Sequence, residues 1–219
     1  MYLSRLILNP RSRRVQRELA EPYEMHRSLM QAFRSDLKAG EERVLFRVDE
    51  HPRLGLELLV QSWDKPDWLW LSGDGAPGYL LPISEPNPDV KSFEPHPVAG
   101  QVLSFRLCAN PTKRMGRGAT EGAGRRVGLY SEEEQLAWLK RKGDQHGFRL
   151  IQAQVSRNGK IENTDAIHRD DGAHDLKLLS VQFDGVLQVA APDLFRKAVE
   201  TGIGSGKGFG FGLLSLARA

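Results

Sequence analysis

Gly202-Ile203-Gly204-Ser205-Gly206-Lys207-Gly208-Phe209-Gly210-Phe211-Gly212 puts six glycines on alternate positions around one lysine and two phenylalanines. Alternate glycines strip side chains from one face of an extended segment, so another backbone can approach it closely. Known phosphate loops do not fit: strict alternation never gives the odd offset of G-x-G-x-x-G, and Thr201 and Gly208 break the P-loop pattern on either side of Gly206-Lys207. A nucleotide cofactor is therefore not indicated, and no cofactor is expected. Before the glycines, Pro192 opens a helix carrying Leu194, Phe195, Ala198 and Val199, for which Gly202 is the expected C-terminal cap. After them, Leu213, Leu214 and Leu216 form a last strand. The stretch is thus the loop between a final helix and a final strand.

Working outward, the second half has the order of a split βαβ domain. Val102–Cys108 reads as a strand, and Ser131-Glu132-Glu133-Glu134 as a capping box opening a helix that stops at Gly143. Leu150–Val155 and beyond is a strand. Asn158-Gly159 is a hairpin-turn dipeptide with Arg157 and Lys160 flanking its tip. Leu176–Phe183 follows, then Asp184-Gly185 as a bulge or turn before Val186–Val189. The first half has the same order. Met1–Leu8 is a strand, Arg11, Arg13, Arg14 and Arg17 lie in a basic loop, and Pro22 starts a helix reaching about Leu37 with Met25, Leu29, Met30, Ala32, Phe33 and Leu37 on its apolar arc. Val44–Val48 and Leu54–Val60 form a hairpin. Trp63, Trp68 and Trp70 lie in a short helix or an irregular segment, and Tyr79–Ile83 is the fourth strand. Five prolines between Pro82 and Pro97 mark a linker. The fold expected is α+β, with tandem ferredoxin-like (RRM-like) βαββαβ domains over 1–93 and 94–219.

A chain of 219 residues, 40% hydrophobic and 27% charged, is long enough to bury a proper core. No apolar run approaches the roughly 20 residues of a membrane span, and the N-terminus lacks a signal peptide. One cysteine, Cys108, excludes an internal disulfide. A cytoplasmic protein without membrane partners is expected. Net charge is only +3, but Lys113, Arg114, Arg117, Arg125 and Arg126 crowd one glycine-punctuated segment while acids collect at 162–175. That separation predicts one basic face able to follow a phosphate backbone.

Lys207-Gly208-Phe209-Gly210-Phe211 matches the opening of the first ribonucleoprotein motif of RNA-recognition folds and departs from it at Gly212 and Leu214, so the stretch reads equally as an RNA contact or as a glycine-rich turn with two core phenylalanines. Tyr23 and His26, three apart, are neighbours on one side of their helix. On pattern alone, a histidine at the edge of an apolar arc reads as a half-buried structural residue. Arg27 reads equally as a phosphate contact or a solvated helix charge. His168 and His174 lack a metal-ligand spacing, and no metal site is expected.

Met1-Tyr2-Leu3-Ser4-Arg5-Leu6, Pro22-Tyr23-Glu24-Met25-His26-Arg27, Asn110-Pro111-Thr112-Lys113-Arg114 and the glycine tail together resemble the CasE family, the CRISPR repeat-RNA endoribonucleases of type I-E Cascade. The resemblance implies a protein that binds the hairpin of a CRISPR repeat transcript and cuts at the base of the stem without metal. The RNA's own 2′-hydroxyl would attack, leaving a 2′,3′-cyclic phosphate and a 5′-hydroxyl, and the product would stay bound within Cascade. The family's catalytic histidine and tyrosine carry over onto His26 and Tyr23. RNA contacts are expected at Arg27, Lys113, Arg114, Arg125, Arg126, Arg157, Lys160, Gly204, Gly206 and Lys207. Histidine suits the proton transfers because both its forms exist near neutrality. Tyr23 would hydrogen-bond the phosphate or orient the nucleophile. The alternative is a catalytically silent RNA-binding subunit on the same fold.

Overall fold

The computed structural model describes residues 1–36, 38, 41–71, 76–114, 126–163 and 176–219, the side chains of 157–163, 176 and 177 excepted. The chain divides into two compact units. The first comprises Met1–Pro95 with Glu200–Gly202 and Lys207–Leu213, and the second His96–Val199, Ile203–Gly206 and Leu214–Ala219.

In the first unit, apolar alternation builds an antiparallel sheet from β1 (Tyr2–Leu8), β2 (Leu45–His51), β3 (Gly55–Ser62) and β4 (Asp89–Ser92), in the order β2-β3-β1-β4. Leu6 faces Leu58 across β1 and β3, and Phe46 faces Val60 across β2 and β3. These four side chains and Leu8 form one buried cluster with Val15 of α1 (Arg13–Ala20) and with Met25 and Leu29 of α2 (Pro22–Met30). Each such side chain contributes about 1.5–3 kcal/mol on leaving water. Helix α1 occupies the segment expected to be a basic loop. Its arginines are exposed or half-buried while Val15 and Glu18 are buried, so the charges mark the outer face of a short helix and not a loop. Helix α2 stops at Met30 and not near Leu37, and the chain continues in turns that still bury Ala32. Around the tryptophans the chain is irregular, with a single 3-10 turn at Leu69–Leu71. The fourth strand is also displaced. Leu80 makes only an isolated bridge to Leu8, and β4 lies inside the proline-rich stretch, where Asp89–Ser92 pairs with Tyr2–Arg5.

The second unit repeats the order with β5 (Val102–Ala109), α3 (Glu132–His146), β8 (Phe148–Asn163), β9 (Leu176–Val189), α4 (Pro192–Thr201) and β10 (Leu214–Arg218), its antiparallel sheet running β10-β5-β9-β8. A two-stranded ribbon, β6 (Thr112–Arg114) with β7 (Arg126–Gly128), sits between β5 and α3 in the chain. Trp138 stacks on Phe183, and Phe148 meets Phe195 edge-on. Ser131 caps α3 by accepting from the amide of Glu134 at 3.2 Å. The helix passes through Gly143 to Gly147, whose φ of +75° ends it. Gly143 is a packing glycine, because a Cβ there would stand 2.7 Å from the carbonyl of Phe148. Asn158-Gly159 is not a turn: β8 runs through it, pairing Asn158 with Val181 and Gly159 with Ser180. A neighbouring strand outweighs the dipeptide's turn preference. Strand β9 is continuous through Asp184-Gly185, and the irregularities lie on β8, between Leu150 and Gln152 and between Val155 and Arg157. No helix among the described residues is long and apolar enough to cross a membrane.

Candidate functional site

Helix α2 begins at Pro22, whose fixed φ suits the first helical position. A buried carboxylate ties this helix to α1. Glu18 is 0% exposed; it accepts from Arg14 Nε at 2.9 Å and Ser28 Oγ at 2.5 Å on one oxygen, and from the Tyr79 hydroxyl at 2.6 Å on the other. Burial first, then the Glu18 charge, pushes the Tyr79 hydroxyl far above its usual pKa, so it stays a donor. Ser28 lies two residues beyond His26, and the network therefore fixes the rotation of α2 that presents Tyr23 and His26.

The two side chains lie in a run of rings. His26 is nearly parallel to Phe46, with centroids 6.2 Å apart and 10° between planes. Tyr23 stands 6.1 Å from His26 and stacks on Phe209 at 5.5 Å. His26 Nδ1 is buried and has no hydrogen-bond partner, leaving Nε2 as the ring nitrogen available to a ligand. Burial lowers the His26 pKa, since a charged imidazole would lose hydration and leave a buried N–H without an acceptor. This is a neutral imidazole suited to moving a proton at Nε2, beside a phenol 36% exposed.

The tail covers this pair with its own turn. Lys207–Phe209 is a 3-10 turn closed by Gly210 N–H donating to the Lys207 carbonyl at 3.2 Å. Gly202, Gly204, Gly206, Gly210 and Gly212 all have φ between +77° and +93°. The alternation is therefore a series of left-handed turns and not an extended strip. Gly208 is the exception, and a Cβ on it would stand 3.4 Å from His26 Cδ2 and 3.7 Å from Tyr23 Cδ2. The ribonucleoprotein-like run does not lie on a strand: Phe209 stacks on Tyr23, and Phe211 is buried. Lys207 heads the turn, and Arg27 is exposed and paired with Glu24 at 2.8 Å.

In the second unit, Lys113 and Arg114 lie on β6 and Arg126 on β7, with Arg114 opposite Arg126. Lys113 is bonded to Glu134 at 2.9 Å, which lowers that carboxyl's pKa. Lys142 of α3, absent from the residues singled out in the sequence, belongs with this group. Burial, then the positive charges of Arg126 and Arg141, lowers its pKa. The triplet Lys140-Arg141-Lys142 was its signal. Gly204 packs beside Trp138, and Gly206 has a φ of +80°. The backbones of Arg157 and Lys160 lie on β8 opposite Gln182 and Leu179. Arg125, His168 and His174 lie outside the described residues. Among the described residues, no group of three or more His, Cys, Asp and Glu is placed to hold a metal ion.

An α+β fold with two four-stranded antiparallel sheets, and a histidine–tyrosine pair under a glycine turn, define the class. The family model described as CRISPR associated protein matches residues 1–218. The chain is 40% identical over 229 residues to the CRISPR-associated endoribonuclease Cse3 of Thermus thermophilus, covering 99% of this chain and 100% of that protein. It is 30% identical to the CRISPR system Cascade subunit CasE of Escherichia coli, with 99% of each covered. A solved structure of CRISPR endoribonuclease Cse3 bound to 19-nucleotide RNA superposes with a TM-score of 0.83 at 36% identity, covering 100% of both chains. This chain belongs to the Cse3/CasE family of CRISPR-associated endoribonucleases of type I-E Cascade.

Proposed function

We propose that this protein is a metal-independent endoribonuclease that binds the repeat hairpin of precursor CRISPR RNA, cuts it at the base of the stem, and keeps the product as a Cascade subunit. The observation that carries the reading is the half-buried His26, its Nδ1 buried without a hydrogen-bond partner, beside Tyr23 and Gly208. Family membership and the RNA-bound Cse3 structure support the substrate; the CasE relative's name supports the Cascade assignment. In this mechanism neutral His26 takes the 2′-hydroxyl proton at Nε2. The 2′-oxygen attacks the phosphorus, the bond to the 5′-oxygen breaks, and the proton passes to that oxygen. A 2′,3′-cyclic phosphate and a 5′-hydroxyl result. The burial that disfavours imidazolium also makes it a ready donor for the last transfer, and such groups typically contribute about 10²–10⁴-fold in rate. Tyr23 supplies a hydroxyl donor to the phosphate.

Arg27 and Lys207 are proposed phosphate contacts on the first unit. Lys113, Arg114, Arg125, Arg126, Arg157 and Lys160 are proposed contacts on the second, where Gly204 and Gly206 let the RNA backbone approach. Both units are read as ferredoxin-like domains. The strand orders β4-β1-β3-β2 and β10-β5-β9-β8 support this, since each equals 4-1-3-2 within its own unit.

The test is incubation of the protein with its repeat hairpin in a chelator. Cleavage is expected, with none of an RNA carrying 2′-deoxy at the scissile nucleotide. His26→Ala should bind the hairpin without cutting it. Absence of wild-type cleavage, or cutting of the deoxy substrate, would overturn the mechanism, and binding without any activity would leave the silent RNA-binding subunit.

A further inference from the structure

We propose that Phe46 and Phe209 are positioning residues that hold the His26 imidazole and the Tyr23 phenol, each by stacking on one of them, in a fixed row of four rings. The proposal rests on reading His26 and Tyr23 as the catalytic pair, and assigns the glycine tail a part in the reaction besides RNA contact.

The four rings follow in order Phe46, His26, Tyr23, Phe209, with successive centroids 6.2, 6.1 and 5.5 Å apart; the two outer pairs are stacked and the middle pair is tilted at 40°. These spacings are those of favourable aromatic pairs. The two ends are held in different ways. Phe46 is 2% exposed on β2 and is part of the core. It also meets the tail, since a Cβ on Gly210 would lie 3.3 Å from its Cε2. Phe209 rides on the 3-10 turn. That turn is followed by the buried Phe211 and by the Leu213 carbonyl, which accepts from Arg47 Nη1 at 3.3 Å. Tyr23 is among the more exposed large side chains, so a ring stacked on its face removes rotamers it would otherwise sample.

His26 has no hydrogen bond at Nδ1 to set its orientation. A histidine's ring is ordinarily oriented by the bond its second nitrogen makes. Here the offset, nearly parallel Phe46 ring, with its centroid 6.2 Å away, takes that place. Charged groups on the surrounding elements are Glu24 with Arg27 on α2, Arg47 with Asp49 on β2, and Lys207 on the turn. Burial and not any of these charges lowers the His26 pKa, in keeping with a ring dehydrated by its aromatic neighbours.

Single-turnover cleavage of the repeat hairpin and an NMR titration of His26, both on the full chain, test the proposal. Phe209→Leu should slow cleavage on the order of ten- to a hundredfold through misplacement of Tyr23, with hairpin affinity unchanged, and Phe209→Tyr should restore the rate. Phe46→Leu should admit water to the imidazole and raise its pKa toward the ordinary value. If that variant does not fold, Phe46→Met, whose unbranched side chain adapts to irregular gaps, gives the same readout. An unchanged rate in Phe209→Leu, a loss confined to affinity, or a His26 titration unmoved at Phe46 would overturn the proposal. If the wild type does not cleave at all, the catalytic reading fails, and the titration still decides whether Phe46 governs the His26 environment.

Discussion

Arg47 on β2 donates from Nη1 to the main-chain carbonyl of Leu213, 166 residues further along the chain, across 3.3 Å. The same guanidinium holds Asp49 through Nε at 2.9 Å and Nη2 at 2.8 Å, and both side chains are largely out of water. Arg47→Met should therefore remove these bonds from the Asp49 carboxylate and from the tail. A loss of about 3 kcal/mol is expected, measured by urea denaturation, together with slower cleavage.

The His26 pKa gives a pH dependence of defined sign. Its folded-state pKa lies below the ordinary 6.5, so between the two values the unfolded chain holds more protons. Stability then rises with pH across that window and is lost as pH falls through it, with no further change below both. His26→Gln should flatten this part of the profile. The acidic limb of kcat/KM, which reports the free enzyme, should lie below 6.5, and a limb at or above 6.5 would contradict a dehydrated imidazole.

Glu18→Gln should weaken the tie between α1 and α2. The substitution keeps the shape but gives the Arg14 guanidinium, Ser28 and the buried Tyr79 hydroxyl a neutral partner. About 2–4 kcal/mol is the expected cost, read as a lowered thermal midpoint. Because Ser28 shares a helix with Tyr23 and His26, cleavage should fall further than RNA affinity does.

Gly202→Ala should be among the more damaging glycine substitutions. Its φ is +77°, and the added methyl would lie 2.9 Å from both Leu45 δ-carbons and 3.0 Å from the Gly212 carbonyl oxygen. Strain and overpacking together should cost about 2–4 kcal/mol. Gly208→Ala, whose φ is not positive and whose methyl meets only ordinary contacts, should fold normally by the same measurement.

On the second unit, Arg126→Ala should weaken hairpin binding and reduce the slope of log affinity against log salt by about 1. Glu134→Gln should do the opposite. It releases Lys113 from its exposed ion pair, so binding at low salt should tighten; an unchanged affinity would show that Lys113 does not face RNA.

Much of this is legible in the sequence. Alternating apolar residues marked β1, β2, β3, β5 and β9, Ser131 marked the start of α3, and Pro22 that of α2. Where reading failed, a long-range partner had overridden a local signal. Asn158-Gly159 is drawn into β8 by β9, Gly143 stays helical because Phe148 packs against it, and Asp89–Ser92 becomes a strand among prolines because β1 has an open edge. Helix α1 does not show in the sequence because its buried face includes the charged Glu18, which Arg14 pairs with and Ser28 and Tyr79 hydrogen-bond. The pairing of Tyr23 with His26 followed from helical spacing, whereas Phe46 and Phe209 come from segments far apart in the chain, and no periodicity could join them.

The membership of the first unit also bears on how the gene can be divided. Its chain is interrupted: Glu200–Gly202 and Lys207–Leu213 belong with Met1–Pro95. A fragment ending near residue 95 would lack Phe209, the Leu213 carbonyl and the glycine turn, exposing Phe46 and His26 to solvent. Such a fragment should be poorly soluble, and supplying a synthetic 200–213 peptide in trans should be the minimum needed to complement it. Residues 200–213 are therefore a late-arriving component of the first unit, which cannot finish folding until they too have been made.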